Sequence, residues 1–168
     1  YVRRAKRILP ALYTVLIASL VVGAWILLPD EYIELAQSAI ATNFFLSNVF
    51  FLRHTGYFDT AAEWKPLLHT WSLGVEEQFY LVWPIALVAF HRSAARFRPV
   101  RLVVLPLVLG FASFAAACWF VHRNPDGAFY LFTLRAWELL SGAALALHGG
   151  KRASVLPVRF RNAASILG

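Results

Sequence analysis

Two stretches of this chain hold no charged residue over the length that a bilayer demands, Pro10–Leu28 and Leu102–Val121. A helix needs about 20 apolar residues to cross a hydrocarbon core about 30 Å thick. Every backbone amide in that core must be satisfied within the protein, so runs of this length are read as spanning helices. The first run extends from Ile8 to Pro29, 22 residues. That exceeds the apolar part of a secretory leader, and no small-residue cleavage site follows it. Pro10 is placed at the start of the span, in the first helical turn, where proline is tolerated. Composition agrees: 60% of residues are hydrophobic and 15% charged, against about 45–50% and about 25% in a soluble domain. Cys118 is the single cysteine, which excludes an internal disulfide and leaves no metal site to expect. The lack of methionine and the start at Tyr1 read as an internal piece of a larger protein.

The net charge of +7 gathers in three blocks: Arg3, Arg4, Lys6 and Arg7, then Arg92, Arg96, Arg98 and Arg101, then Lys151, Arg152, Arg159 and Arg161. A pI near 10.1 is compatible with nucleic-acid binding, but each block abuts a long apolar stretch. Basic loops beside apolar spans mark the cytoplasmic side of a membrane. The expected partner is therefore a lipid bilayer and not nucleic acid. Leu67–Phe90 and Ala128–His148 are also long enough to span, although the first contains His69, Glu76 and Glu77 and the second Arg135 and Glu138. Ile33–Leu52 is interrupted by Gln37, Ser38, Thr42, Asn43, Ser47 and Asn48. If the first two basic blocks are both cytoplasmic, an even number of crossings separates them. Ile33–Leu52 is then the segment expected to lie at the interface or to enter without crossing. The alternative has all three intervening segments crossing and one basic block exempt from the rule. The expected fold is all-α, a polytopic transmembrane helical bundle of about four spanning helices plus one amphipathic or re-entrant segment.

A charge inside a span is costly unless it faces protein or a water-filled cavity. Stepping about 100° per residue from His69 puts Ser72, Glu76, Tyr80 and Trp83 in one wedge about 80° wide, with Glu77 at its edge. Three readings of this face stand. It lines a catalytic or substrate cavity, or it carries a polar network with an arginine of another helix, or it sits near the membrane surface. Arg135, Glu138 and Gly142 share a second face, read either as an ion pair or as part of a site. His54, His91, His122 and His148 fall at helix ends or loops and need no special role. The Arg3–Arg7 block is a topology signal that also suits a phosphorylated cosubstrate, because guanidinium matches phosphate in bidentate geometry. No dinucleotide fingerprint, P-loop or nucleophile elbow is present.

Four motifs occur in order: Arg4-Ala5-Lys6-Arg7-Ile8-Leu9-Pro10, of the form R-x-x-R-I-x-P; Gly56-Tyr57-Phe58-Asp59; the string from Pro66 through Leu67-Leu68-His69-Thr70-Trp71-Ser72-Leu73-Gly74-Val75-Glu76-Glu77-Gln78-Phe79-Tyr80; and Arg135-Ala136-Trp137-Glu138-Leu139-Leu140-Ser141-Gly142. Together they resemble the membrane acyltransferase-3 family, the O-antigen acetylase type. The resemblance covers essentially the whole chain. It implies that residues 1–168 are part of one transmembrane acyltransferase domain whose first and later helices lie outside this chain.

The resemblance further implies a multi-pass enzyme of the bacterial inner membrane. Such an enzyme moves an acetyl or short acyl group from acyl-CoA (acetyl-CoA) to a sugar hydroxyl of a cell-surface polysaccharide or glycoconjugate. The family's candidate catalytic histidine lies in a helix preceding this chain, and His69 is not that residue. The resemblance leaves supporting roles for His69, Glu76 and Glu77 at the transfer cavity, and for Arg4 and Arg7 on the coenzyme A phosphates. Ser72, Tyr80, Arg135 and Glu138 would position substrate or helices. A membrane transporter or flippase subunit is the alternative, since buried Arg/Glu pairs also mark solute paths.

Overall fold

The computed structural model describes residues 2–54, 65–94 and 103–149. Seven helices, and no strand among the described residues, follow one another: α1 (Val2–Ile26), α2 (Pro29–Asn43), α3 (Ser47–Arg53), α4 (Thr70–Ala94), α5 (Val104–Phe120), α6 (Pro125–Tyr130) and α7 (Phe132–Gly149). The third basic block, Arg96, Arg98, Arg101 and the Gly56–Asp59 motif lie outside the described residues.

Helix α1 begins at Val2, so the basic block is its first two turns and Pro10 lies in its interior rather than at its start. Proline removes one ladder hydrogen bond there. One turn on, the Thr14 hydroxyl donates to the Pro10 carbonyl at 2.8 Å. At the far end Leu28 precedes Pro29, which opens α2, and Glu31 Oε2 accepts the Leu28 N–H at 3.0 Å. Gly23 lets α2 close on α1, since a Cβ there would stand 2.5 Å from Leu35 Cδ2.

The segment Ile33–Leu52 does not cross as one helix. It turns at Phe44–Leu46, with Phe45 in the left-handed region at φ 56°. Helix α3 then returns along α2, so that Arg53 and His54 share a groove with Gln37. The segment expected to lie at the interface or to enter without crossing is thus a helix–turn–helix hairpin. The chain order of contacts makes α4 antiparallel to α1. Asn43, at the end of α2, accepts from Tyr13 Oη, its neighbour Thr42 meets Thr70, and Glu77 meets Arg4.

Four spanning helices were expected, and among the described residues two helices have the length and apolarity to cross a membrane: Val2–Ile26 and Thr70–Arg92. Only 17% of either apolar window is buried, which sets both apart from the core helices of a water-soluble protein. The expected span Leu102–Val121 appears as an apolar helix of 17 residues, about 26 Å long. The expected span Ala128–His148 is broken. Asn124 caps the short α6, accepting from Gly127 N–H at 2.8 Å, and Leu131 is extended between α6 and α7. The break frees the Tyr130 carbonyl, which takes the Asn48 side-chain amide at 3.1 Å. Helix α5 then locks onto α7 through Ser113. Its hydroxyl donates to Thr133 O at 2.7 Å and accepts from Trp137 N at 3.1 Å, the two groups that close one turn of α7.

Candidate active-site region

Arg4 on α1 and Glu77 on α4 stand 73 residues apart and meet directly, the guanidinium Nε donating to Glu77 Oε1 at 2.7 Å. Glu76 Oε2 lies 3.6 Å from Arg4 Nη2. The guanidinium carbon sits 3.3 Å from the centroid of the Tyr80 ring, a cation–π contact. Adjacent helical residues point about 100° apart, so only one of the two glutamates turns fully to α1. Glu77 is that one, with its side chain 17% exposed against 47% for Glu76. Tyr80, three residues after Glu77, falls on the same face. Among the readings of this face, the geometry displays the polar network with an arginine of another helix.

Arg4 has five N–H donors and Glu77 engages one. One turn further along α1, Arg7 is exposed, as are Arg3 and Lys6. His69 lies in the turn ahead of α4 and is exposed; its carbonyl accepts the exposed Ser72 hydroxyl at 3.3 Å. Two turns of helix separate His69 from Glu77. The structure brings together Arg4, Glu76, Glu77 and Tyr80, and it leaves His69, Ser72 and Arg7 apart from them.

Arg135 and Glu138 form a bidentate pair within α7, with Nη2 at 2.7 and 3.0 Å from the two carboxylate oxygens. Arg135 also lies 4.9 Å over the Trp71 ring and 5.4 Å from the centroid of Phe129. Trp71 and Phe129 pack at 4.5 Å. The pair thus joins α7 to α6 and to the first turn of α4. It also walls a cavity of about 400 Å³, shared with Phe114, Cys118 and Trp137. Among the described residues no three His, Cys, Asp or Glu side chains converge on a point.

Sequence reasoning missed the buried polar joint between the α2–α3 hairpin and α4. Asn48, 1% exposed, donates to Tyr130 O and accepts from Gln78 Nε2 at 2.8 Å. Gln78 Nε2 donates also to Phe45 O at 2.9 Å, and Ser47 Oγ to Thr70 O at 2.8 Å. Thr42 and Thr70 hydroxyls lie 2.9 Å apart, while each is also placed to donate to a carbonyl of its own segment, Ser38 O and Leu67 O. A hydroxyl carries one proton, so two protons serve three contacts. The available signal was Gly74 inside an otherwise bulky helical string. A Cβ there would stand 3.1 Å from Asn48 Oδ1 and from Ser47 Oγ. Lys65 was missed too: its ammonium lies 3.1 Å from Glu34 Oε1 and donates to His54 O at 2.6 Å, with 7% of the side chain exposed.

Long apolar helices with little burial, joined through paired charges and buried amides, define a helical membrane protein. The sequence matches the acyltransferase domain family over residues 1–168, and the chain belongs to that family. It is 35% identical over 147 residues to the peptidoglycan O-acetyltransferase OatA of Listeria monocytogenes, covering 87% of this chain and 24% of that protein. It is 30% identical over 147 residues to the O-acetyltransferase OatA of Staphylococcus aureus, covering 86% and 24%. A Haemophilus influenzae protein is 36% identical over 155 residues, covering 88% and 62%. The chain thus spans about a quarter of the length of the two acetyltransferases. No solved structure matches it.

Proposed function

We propose that this chain is part of a multi-pass O-acyltransferase of the bacterial inner membrane. It takes an acetyl or short acyl group from acyl-CoA at the cytoplasmic face and delivers it to a sugar hydroxyl of a cell-surface polysaccharide or glycoconjugate. The observation that carries this reading is the Arg4–Glu77–Tyr80 cluster at the basic end of α1, set in a chain of the acyltransferase family. The cluster fixes the first turns of α1 against α4. Arg3, Lys6 and Arg7 are left exposed as a cationic surface suited to the phosphates of a coenzyme. Arg4 faces two carboxylates, so it braces this surface while Arg7 makes the phosphate contact. His69 and Glu76, both exposed, are the groups open to a bound ligand from α4 and the turn ahead of it. Arg135 and Glu138 hold α7 in place beside them.

The test is transfer of radiolabelled acetyl groups from acetyl-CoA to saccharide, using the full-length protein in proteoliposomes. Arg7→Ala is expected to raise the donor KM roughly tenfold, the effect of losing one charge-assisted bond, and Glu76→Gln to lower transfer. Wild-type kinetics in both variants at equal protein level would remove these residues from the mechanism. Saccharide uptake without acyl incorporation would replace the reading with a transporter.

A further inference from the structure

At the end of α1 opposite Arg4, a cavity of about 170 Å³ opens between α1, α2, α3 and the turn before α4. Ile26 and Arg4 are 22 residues apart on one helix, about 33 Å at 1.5 Å per residue, close to the thickness of a hydrocarbon core. The walls are mostly apolar, with Leu35, Phe51 and Leu67 among them, and the polar groups are Lys65, Glu34, Glu31 and Ser38. The Lys65 side chain is more than nine-tenths buried; its ammonium donates to His54 O and lies 3.1 Å from Glu34 Oε1 as an ion pair. Burying a lysine this deeply is costly.

The composition of the lining selects the ligand. Two carboxylates against one ammonium disfavour a phosphate or any other anion. A cation gains little, since Glu31 already accepts from Leu28 N–H and Glu34 is paired with Lys65. A neutral hydroxyl suits the site, because it can accept from Lys65 while donating to Glu34, and the apolar walls cover the C–H face of a ring. The volume is below the roughly 300–1,000 Å³ of sites for drug-sized ligands, so the cavity takes one ring and not a longer glycan.

We infer that the Lys65–Glu34 cavity is the seat of one saccharide unit of the acceptor, on the membrane face opposite the basic end of α1. The assignment of that ring as acceptor rests on the acyltransferase reading. The experiment uses full-length protein in nanodiscs, with methyl glycosides of hexoses and N-acetylhexosamines as probes. Two variants are compared with the wild type. Lys65→Met with Glu34→Gln removes both charges together and leaves neither orphaned. Ile26→Trp intrudes on the cavity from an exposed position without touching the pair.

Both variants are expected to raise the acceptor KM by roughly tenfold or more with the donor KM unchanged. They should also abolish the saturation-transfer NMR signal of the glycoside that binds best to the wild type. An unchanged acceptor KM, or equal rises in acceptor and donor KM, overturns the inference while leaving the acyltransferase reading intact. If the wild type transfers no acyl group, that reading fails, and the NMR comparison alone decides the site: glycoside binding lost in both variants supports it, and no wild-type binding overturns it.

Discussion

Replacing Asn48 with leucine keeps the volume of the side chain and removes its hydrogen bonding. Two good bonds are lost, Asn48 Nδ2 to Tyr130 O at 3.1 Å and Gln78 Nε2 to Asn48 Oδ1 at 2.8 Å. The 3.5 Å approach to Gln78 Oε1 is too long to count. The Tyr130 carbonyl is then orphaned beside the α6–α7 break, and the Gln78 amide keeps only Phe45 O. Each orphaned buried group costs about 1–3 kcal/mol. Hydrogen bonds between membrane helices average only about 0.6 kcal/mol, because the unfolded chain in lipid finds other partners. Asn48 is 1% exposed and its carbonyl partner sits where the helix is interrupted between α6 and α7, so the larger figure governs. The expected loss is about 2–4 kcal/mol, which lowers the melting temperature by about 4–16 °C for a unit of this size. Thermal melting of the detergent-solubilised full-length protein reads it, with Ser72→Ala as an exposed control expected within about 0.5 kcal/mol of wild type. A leucine variant melting within 2 °C of that control would refute the account of the joint.

Gly74→Ala sets two effects against each other. Alanine favours a helix by about 1 kcal/mol, but its Cβ would crowd Asn48 Oδ1, Ser47 Oγ and Phe45 O at 3.1–3.2 Å. All three atoms are held by other bonds, so overpacking at about 1–3 kcal/mol wins and the melting temperature falls; a rise would contradict the close approach. A double-mutant cycle of Arg4→Met and Glu77→Leu should give a coupling of about 1.5–3 kcal/mol in the same melts. A coupling below about 0.5 kcal/mol would mean that the pair does not hold α1 to α4.

The parts legible in the sequence were those where one helix decides its own fate. The uncharged run after Pro10 and the long stretch Leu67–Phe90 read as long helices, and both are. The polar interruptions at Thr42, Ser47 and Asn48 marked a segment unable to face lipid throughout. That Arg4 is the partner of Glu77 was not legible, because helical phase names a face but not what lies across it. The break at Leu131 escaped for a similar reason. The run from Ala128 is apolar enough to continue, and its carbonyl is taken by an amide 82 residues earlier. The same polar residues that read as amphipathicity proved to be the bonds of a buried joint. Lys65 carried no signal at all, since one lysine before a proline looks like any solvated loop.

The threonine pair gives the α2–α3 hairpin a contact with two equivalent forms. With Thr42 donating across, Thr70 keeps Leu67 O and Ser38 O goes without; with the direction reversed, the opposite carbonyl is released. These two proton arrangements have the same heavy-atom positions and nearly the same bonds. The contact therefore persists whichever hydroxyl is the donor. The joint thus holds α2 to the start of α4 without committing either hydroxyl to one role.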